Sequence, residues 1–388
     1  MPTPSGTYSI PIQPVLSPAL LMASPHSKAL PFPLNAPGVQ FTYLARNAVY
    51  WLAHYWSLRE QEVLFPDFFN GAELEALLAA GVRIRFYPVH TGMRVDVQDI
   101  ADRISPQTRA VFLIHYSGFP GPVEEVAALC KERGVRLIEN CALALLSCIG
   151  ERPLGSFGDA AVFCLHKPLP LTNGGALILR EGRNGKVLVS RDPSVATVAG
   201  HVVRQLMSHF ALRGKSASLR AARVIHSLGQ AFTGAAGVKR VSVCTSSFDV
   251  TSANLGISRL SLRVLTALDY AEIARRRRSN FQYLAERLDG IVSPIFRELP
   301  PGVCPLSFPI RVENRAEVTE RLVQLGIEAV PLWARHHPIL PEGSSPEVDD
   351  MRRTSLKLPC HQDLTNRELD RVVEGVKLVL AGCEVLTH

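Results

Sequence analysis

The chain has 388 residues, of which 47% are apolar and 20% charged, and it carries a formal net charge of +7. That length allows two domains and a large buried core, and the apolar share excludes disorder throughout. The basic balance comes from arginine, because eight of the 42 basic residues are lysine; it favours anionic partners, and no nucleic-acid recognition motif accompanies it.

The eight cysteines contain no C-x-x-C pair and are spread along the chain. This pattern fits reduced thiols and gives no zinc-site spacing or disulfide framework. The start lacks the basic region and unbroken apolar core of a signal peptide, and no stretch approaches the ~20 apolar residues of a membrane span. A cytoplasmic protein without a transmembrane segment is expected.

Nine of the 28 prolines fall within residues 1–37, which predicts an extended N-terminal arm over 1–40. From Ala45 the pattern changes. "ARNAVYWLAHYWSL" has helical apolar spacing, "EVLFP" is a short strand, and "GAELEALLAAG" is a helix closed by Gly81. "VRIRFYPV" reads as a strand, "VDVQDIADRI" as a helix, "RAVFLIHY" as a strand, "VEEVAALCKERG" as a helix and "VRLIE" as a strand. Strands alternating with helices at this spacing predict an α/β fold with a mostly parallel sheet, whose sites form beyond the carboxyl ends of the strands. No G-x-G-x-x-G follows any strand, so a dinucleotide site has no support.

Residues 181–248 are polar and basic with helical stretches, read as a solvated helix face within an insertion rather than a membrane-surface helix. "RRRR" at 275–278 lies in "SLRVLTALDYAEIARRRRSNFQYLAERL", which reads as one long helical segment with the arginines on a solvated or interface face. After Asp289, "CPLSFPIRV", "RAEVTERLVQLG", "IEAVPL" and "NRELDRVVEGVKLVLAG" give strand, helix, strand and terminal helix. The expected division is an arm over 1–40, a large domain over 41–250, and a long helix with a smaller C-terminal α+β domain over 251–388. A cleft between the domains would hold a small-molecule substrate.

Residues 138–179 draw attention on chemistry alone. An acid, Glu139, ends one strand, a Gly-Asp strand follows, and Lys167 then stands beside the Gly174–Gly175 turn. Lysine becomes a covalent catalyst by condensing with a carbonyl, for which its amine must be deprotonated. Lys131 lies in a polar helical turn and Lys186 in a Gly-Arg-Asn-Gly turn, whereas Lys167 sits between apolar strands. A surface lysine in the proline-rich "HKPLPL" loop reads equally well from these residues. His336 and His337 are adjacent and point apart in most backbones, so a shared metal is not expected.

The order of elements carries more. The run "QTRAVFLIHYSGFPGPVEEVAALCKERGVRLIENCALALLS", continued by "RPLGSFGDAAVF" and "GGALIL", resembles the DegT/DnrJ-type sugar aminotransferases among the fold-type-I pyridoxal phosphate (PLP) proteins. The likeness extends upstream to "ARNAV" and downstream through "GISRLSLRVL" and "LPCHQDLT". It implies the fold-type-I PLP-dependent transferase architecture, with Lys167 as the residue that carries the cofactor covalently.

The same resemblance places the other site positions, several of them altered. The aspartate that pairs with the ring nitrogen falls on Asn140, the residue packing on the ring falls on Leu143, and a phosphate-binding serine falls on Cys164. The phosphate site at the start of the first helix becomes Arg46 and Asn47, and the aromatic covering the ring falls on Asn70, with Phe68 and Phe69 as substitutes close by. Ser258 and Arg259 begin the stretch that a partner subunit contributes to its neighbour's site, which implies a homodimer. His166 beside Lys167 raises the sugar-dehydratase variant, in which histidine replaces the lysine; His361 matches a structural turn.

Asn140 cannot hold a proton on a ring nitrogen by charge, so the electron sink is weaker than with aspartate. The expected function is a PLP-dependent aminotransferase acting on a sugar nucleotide or another biosynthetic keto or amino intermediate. The alternatives are a catalytically impaired member serving as a binding or scaffold protein, and a non-transaminating, dehydratase-like enzyme.

Overall fold

Short strands, three to seven residues long, lie side by side as the central sheet, and helices make the crossovers between the first five of them in chain order. The computed structural model describes residues 10–25, 29–180, 189, 191–213, 247–340, 342–343 and 345–384. The first part contains α1 (Pro18–Met22), β1 (Gln40–Thr42), α2 (Ala45–Tyr55), β2 (Glu62–Pro66), α3 (Ala72–Ala79), β3 (Arg83–Tyr87), α4 (Val97–Ala101), β4 (Thr108–Ile114), α5 (Val123–Arg133) and β5 (Arg136–Asn140). A small hairpin of β6 (Cys148–Ile149) and β7 (Arg152–Pro153) follows, then β8 (Ala160–Cys164), β9 (Gly175–Leu179) and α6 (Val195–Leu212). The sheet order is β1-β9-β8-β5-β4-β2-β3. The pairs from β3 through β8 are all parallel, and β9 is antiparallel to both of its neighbours.

The second part contains α7 (Arg259–Leu265), α8 (Tyr270–Arg287), β10 (Ser293–Pro294), β11 (Phe308–Arg311), α9 (Arg315–Gln324), β12 (Val330–Pro331), α10 (Pro346–Thr354), β13 (Ser355–Leu358) and α11 (Asn366–Glu384). Its strands form an antiparallel sheet in the order β10-β11-β13-β12, with a separate apolar core around Phe281, Phe308, Ile310, Leu356 and Leu358. The large mostly parallel sheet with a smaller α+β part is the architecture expected from the sequence.

Three expectations change. The long helical segment is two helices, because Asp269 accepts from Glu272 N (3.1 Å) and starts α8 afresh after the turn at 266–269. The four arginines are no single solvated face. Arg275 pairs with Glu272, Arg276 donates to Leu364 O, and Arg278 donates to the Pro300 and Val303 carbonyls; Arg277 is fully buried. In the arm, Ser17 caps a short helix, and residues 10–16 bind their own chain: Ile10 N donates to Gly326 O, Ile12 N to Glu328 Oε2 and Val15 N to Asp363 Oδ2. Residues 214–246, part of the expected basic insertion, lie outside the described residues.

Glu139 fixes the strand ends. Its side chain has no exposed surface, and its two oxygens accept from Gly155 N, Phe157 N and Gly158 N at 2.5–2.7 Å and from His115 Nε2 at 3.2 Å. His115 Nδ1 accepts from Gly121 N, which leaves Nε2 as the donor. Gly155 adopts φ +90, and a Cβ there would meet the Phe163 ring at 2.4 Å, so the turn wrapping the carboxylate requires glycine. Burial alone would raise the Glu139 pKa, but the His115 bond and the backbone donors together hold it below the ordinary carboxylate value.

His90 joins the two parts. Its ring nitrogens meet Asp99 Oδ2 (2.8 Å) and Glu347 Oε1 (3.0 Å) at the start of α10, and Asp99 also pairs with Arg103. The hydrogen bonds to both carboxylates raise the His90 pKa, outweighing partial burial.

Two predictions follow from these buried and bridging charges. Glu139→Gln removes the charge that four donors share and lowers unfolding stability by about 2–3 kcal/mol, read from the urea midpoint. Because its native pKa is lowered, the Glu139 contribution is full above the unfolded value and is lost as pH falls through the native one, so the acid loss is smaller in the variant. His90 has the opposite sign: its contribution is full below the unfolded value and is lost as pH rises through the raised native one. Heating scans from about pH 6 to pH 9 therefore show a decline of roughly 1–3 °C in wild type that His90→Asn lacks.

Candidate active site

The carboxyl ends of β2, β4, β5 and β8 share one edge of the sheet, and the residues after them form a row of loops there. Strand β9 starts at this edge, and β1 ends at it and leads into α2. A Cβ on Gly175 would lie 2.5 Å from Ala45 N and Leu44 C, so the Gly-Gly turn brings β9 against the start of α2. This close approach carries the first turn of α2 to the Lys167 loop.

That loop is held from both sides. Leu165 N donates to Gly174 O, and Gly174 N donates to Tyr43 O. Pro168 O, one residue after the lysine, accepts from buried Arg277 Nη2 (2.9 Å) and from Gln362 Nε2 (3.1 Å). Lys167 itself is half-buried, and its ammonium acts electrostatically on Cys164, His166 and Lys357. Burial raises the Cys164 thiol, whose sulfur lies 3.3 Å from His166 Nδ1. His166 is pushed down to about 3, by burial first and then by the charges of Lys167 and Arg46, and its ring is neutral at pH 7.

Asn140 is buried at the end of β5, and its Oδ1 accepts from Ala142 N at 3.0 Å. That bond uses one of the two lone pairs of Oδ1 and fixes the amide, whose Nδ2 carries the side chain's N–H donors. Arg46 is buried in the first turn of α2; its Nη1 donates to Ser247 O, and its charge reaches Cys164 and His166. The structure thus brings Arg46, Asn140, Cys164 and Lys167 to one edge. Asn70, after β2, lies on it too and is half-buried, and Leu143 is buried in the loop after β5.

Other expected positions do different work. Asn47 Nδ2 donates to Ser252 O (2.7 Å) and Ala253 O, and Asn47 N to Leu44 O, so its donors tether the returning chain. Ser258 is buried and caps α7: its Oγ accepts from Ser261 N, and its own N donates to Asn173 Oδ1. The Arg259 side chain is 90% exposed beside Asp192. Phe68 and Phe69 are buried against other rings.

The remaining histidines have structural partners. His337 meets Glu75 Oε1 (2.8 Å), His336 meets Asp349 (3.5 Å), and buried His361 donates from Nε2 to Pro11 O. His115, Glu139 and Cys141 stand close enough to share an ion. The bonds on Glu139 and His115 Nδ1 already occupy the atoms that an ion would need. A cavity of about 460 Å³ opens at the opposite edge of the sheet, lined by Phe32, Ser156, Asp159, Ala160 and Arg180, away from Lys167.

Sequence reasoning missed three residues near this edge, two of them brought by the second part. Lys357, on β13, is half-buried, and its pKa is pushed down to about 8 by burial and then by Lys167, while Glu328 opposes the shift. Glu73, buried in the first turn of α3, acts on the Cys164 thiol. Arg352, buried on α10, donates to the carbonyls of Asp67, Phe69, Trp333 and Arg335. None has a local sequence signal except Lys357, a lone charge within the strand "SLKL".

The donor set at the edge is one amine, one guanidinium and one amide N–H, with a net positive field. It fits a phosphorylated aldehyde such as PLP: Lys167 for the carbonyl, Arg46 for the phosphate, and the Asn140 amide for a ring acceptor.

Comparison with known proteins agrees with this chemistry. The chain is 27% identical over 327 residues to the dTDP-4-dehydro-2,3,6-trideoxy-D-glucose 4-aminotransferase of Saccharopolyspora spinosa, covering 81% of this chain and 76% of that protein. The sugar aminotransferase CalS13 of Micromonospora echinospora shares the fold at a TM-score of 0.63 and 21% identity, over 95% of this chain and 99% of that one. Spr1654 of Streptococcus pneumoniae, solved in a PLP form, does so at 0.69 and 15%, over 98% and 100%. The model of the DegT/DnrJ/EryC1/StrS aminotransferase family matches residues 52–377, and the chain belongs to that family.

Proposed function

We propose that the chain is a PLP-dependent aminotransferase acting on a keto group of a nucleotide-linked sugar. The observation that carries this reading is Lys167, on a loop held at the carboxyl edge that also carries Arg46 and Asn140. The S. spinosa relative is named for such a substrate, which supports the class. We assign the working enzyme to the cytoplasm as a homodimer with Arg259 turned to the neighbouring site, and divide the chain into arm, large and small domains at about residues 40 and 250.

When bound, PLP supplies an electron-withdrawing ring that stabilises negative charge on a substrate carbon after proton loss. Lys167 would hold the carbonyl end of the group through Nζ, and its amine would be the base available for a proton at the substrate carbon. Arg46 holds the phosphate by charge-assisted bonds at the start of α2, where the helix dipole adds to its field. The neutral thiol of Cys164 and the neutral ring of His166 keep other charges out of the pocket. Asn140, an uncharged amide, could not hold a proton on a ring nitrogen as a carboxylate would, and its N–H would donate to an unprotonated acceptor. This favours a second reading, in which the site is retuned to a less demanding reaction than transamination.

Lys167→Ala abolishes any borohydride-stabilised adduct, and peptide mapping of the wild type locates the adduct on Lys167. An adduct on Lys357 would move the site, and no cofactor uptake at all would leave a binding or scaffold protein. Asn140→Asp restores a carboxylate opposite a ring acceptor, and single-turnover half-reactions with amino donors then speed up by about ten- to a hundredfold, the scale of ~1.5–3 kcal/mol for a charged hydrogen bond. No change, with cofactor bound in both proteins, would favour the retuned reading.

A further inference from the structure

Resting on the nucleotide-sugar reading, we propose that Trp333 and Arg335 form the subsite for the non-reacting end of the substrate: Trp333 packs on a flat ring face, sugar or base, and Arg335 meets the diphosphate.

Trp333 follows β12 in the loop that faces the carboxyl edge of the large sheet. Its backbone has φ +49, a left-handed conformation that a bulky residue rarely adopts. Such a conformation persists where the surroundings over-determine it, and these do. Buried Arg352 donates from Nη1 to the Trp333 carbonyl (2.6 Å) and the Arg335 carbonyl (2.8 Å), and the same guanidinium bonds the Asp67 and Phe69 carbonyls in the loop after β2. One cation therefore locks the 333–335 loop to the edge that carries the site.

The side chain that this conformation presents is an aromatic wall. The Trp333 ring packs 5.2 Å from Phe68 and 5.4 Å from Tyr116, and the Tyr116 hydroxyl donates to Phe68 O. Phe68 and Tyr116 are buried, while Trp333 is only half-buried and so keeps part of its side chain accessible. Among the described residues, its indole N–H has no hydrogen-bond acceptor and the exposed Arg335 guanidinium has no carboxylate or carbonyl partner. An aromatic face and a cation with donors to spare, on one rigid loop, suit a planar ring joined to an anion.

Distance also fits. Along the sheet, β4 is two strands and β2 three strands from β8, so the wall stands about 10–14 Å from the lysine strand. A sugar nucleotide with its reacting carbon at Lys167 spans that gap, whereas an amino acid donor does not.

The test uses tryptophan emission, because Trp333 is one of three tryptophans and the others, Trp51 and Trp56, are in or next to α2. Cofactor-loaded wild type and Trp333→Phe are titrated with UDP, UDP-glucose and glucose. A change in wild-type emission that is absent from Trp333→Phe supports the subsite. A response to UDP alone places the base at Trp333, and a response confined to UDP-glucose places the sugar there. Trp333→Ala weakens the same binding by about ten- to a hundredfold, measured by calorimetry, and Arg335→Gln weakens UDP but not glucose. An unchanged response in Trp333→Phe, binding within about twofold in Trp333→Ala, or no response to any probe in cofactor-loaded protein would overturn the proposal and leave the aminotransferase reading standing. Protein that takes up no cofactor yet still gives the Trp333 signal would overturn that reading and leave the subsite.

Discussion

The carbonyl of Pro168 is where the two sheets agree on the position of the lysine. It accepts from Arg277, which starts on α8, and from Gln362, beyond β13. Arg277 also binds the Pro305 and Leu306 carbonyls before β11, so one buried guanidinium joins the lysine loop to the second core. A buried cation is costly unless its donors are filled, and here the two Nη atoms make three bonds to carbonyls, with Nε left unpaired. Once that arginine is seated, the loop over residues 165–174 cannot shift without breaking bonds in both layers.

Arg352 repeats the device on the other side of the edge. It is buried on α10 and collects carbonyls from the loop after β2 and from residues 333–335. Between the two arginines lie the Glu139 cradle, Asn140 and Lys167. The edge is therefore built from charges spent on backbone carbonyls, which leaves Arg46, Lys167 and Lys357 to set a positive field facing outward. A phosphorylated ligand suits that field, and the same charges add to burial in keeping the His166 ring neutral.

The alternating strands and helices were legible because each buried strand is a short apolar run bounded by a turn, and each helix shows its period. Lys167 was legible because a lysine between apolar strands and a Gly-Gly turn is unusual. The break at 266–269 had a local signal that the helical reading passed over: Asp269 and Glu272 have capping-box spacing. By contrast, "PEVDDMRRT" reads as polar, since the buried face of α10 is made by Val348, Met351 and an arginine whose partners lie far away in sequence. The same holds for Lys357 and Trp333, whose roles depend on which loops the second sheet brings to the edge. Asn47 and Ser258 were given roles through resemblance, and the local hydrogen bonds that hold them were not legible in the sequence.

The central claim is that Lys167, Asn140 and Arg46 act together on one phosphorylated aldehyde. A crystal structure of the protein soaked with pyridoxal phosphate tests it most directly. The account predicts continuous density from Lys167 Nζ, with the Asn140 amide nitrogen at hydrogen-bond distance from the ring nitrogen and the phosphate against Arg46. Density joined to Lys357, or a ring turned with its nitrogen away from Asn140, would contradict it.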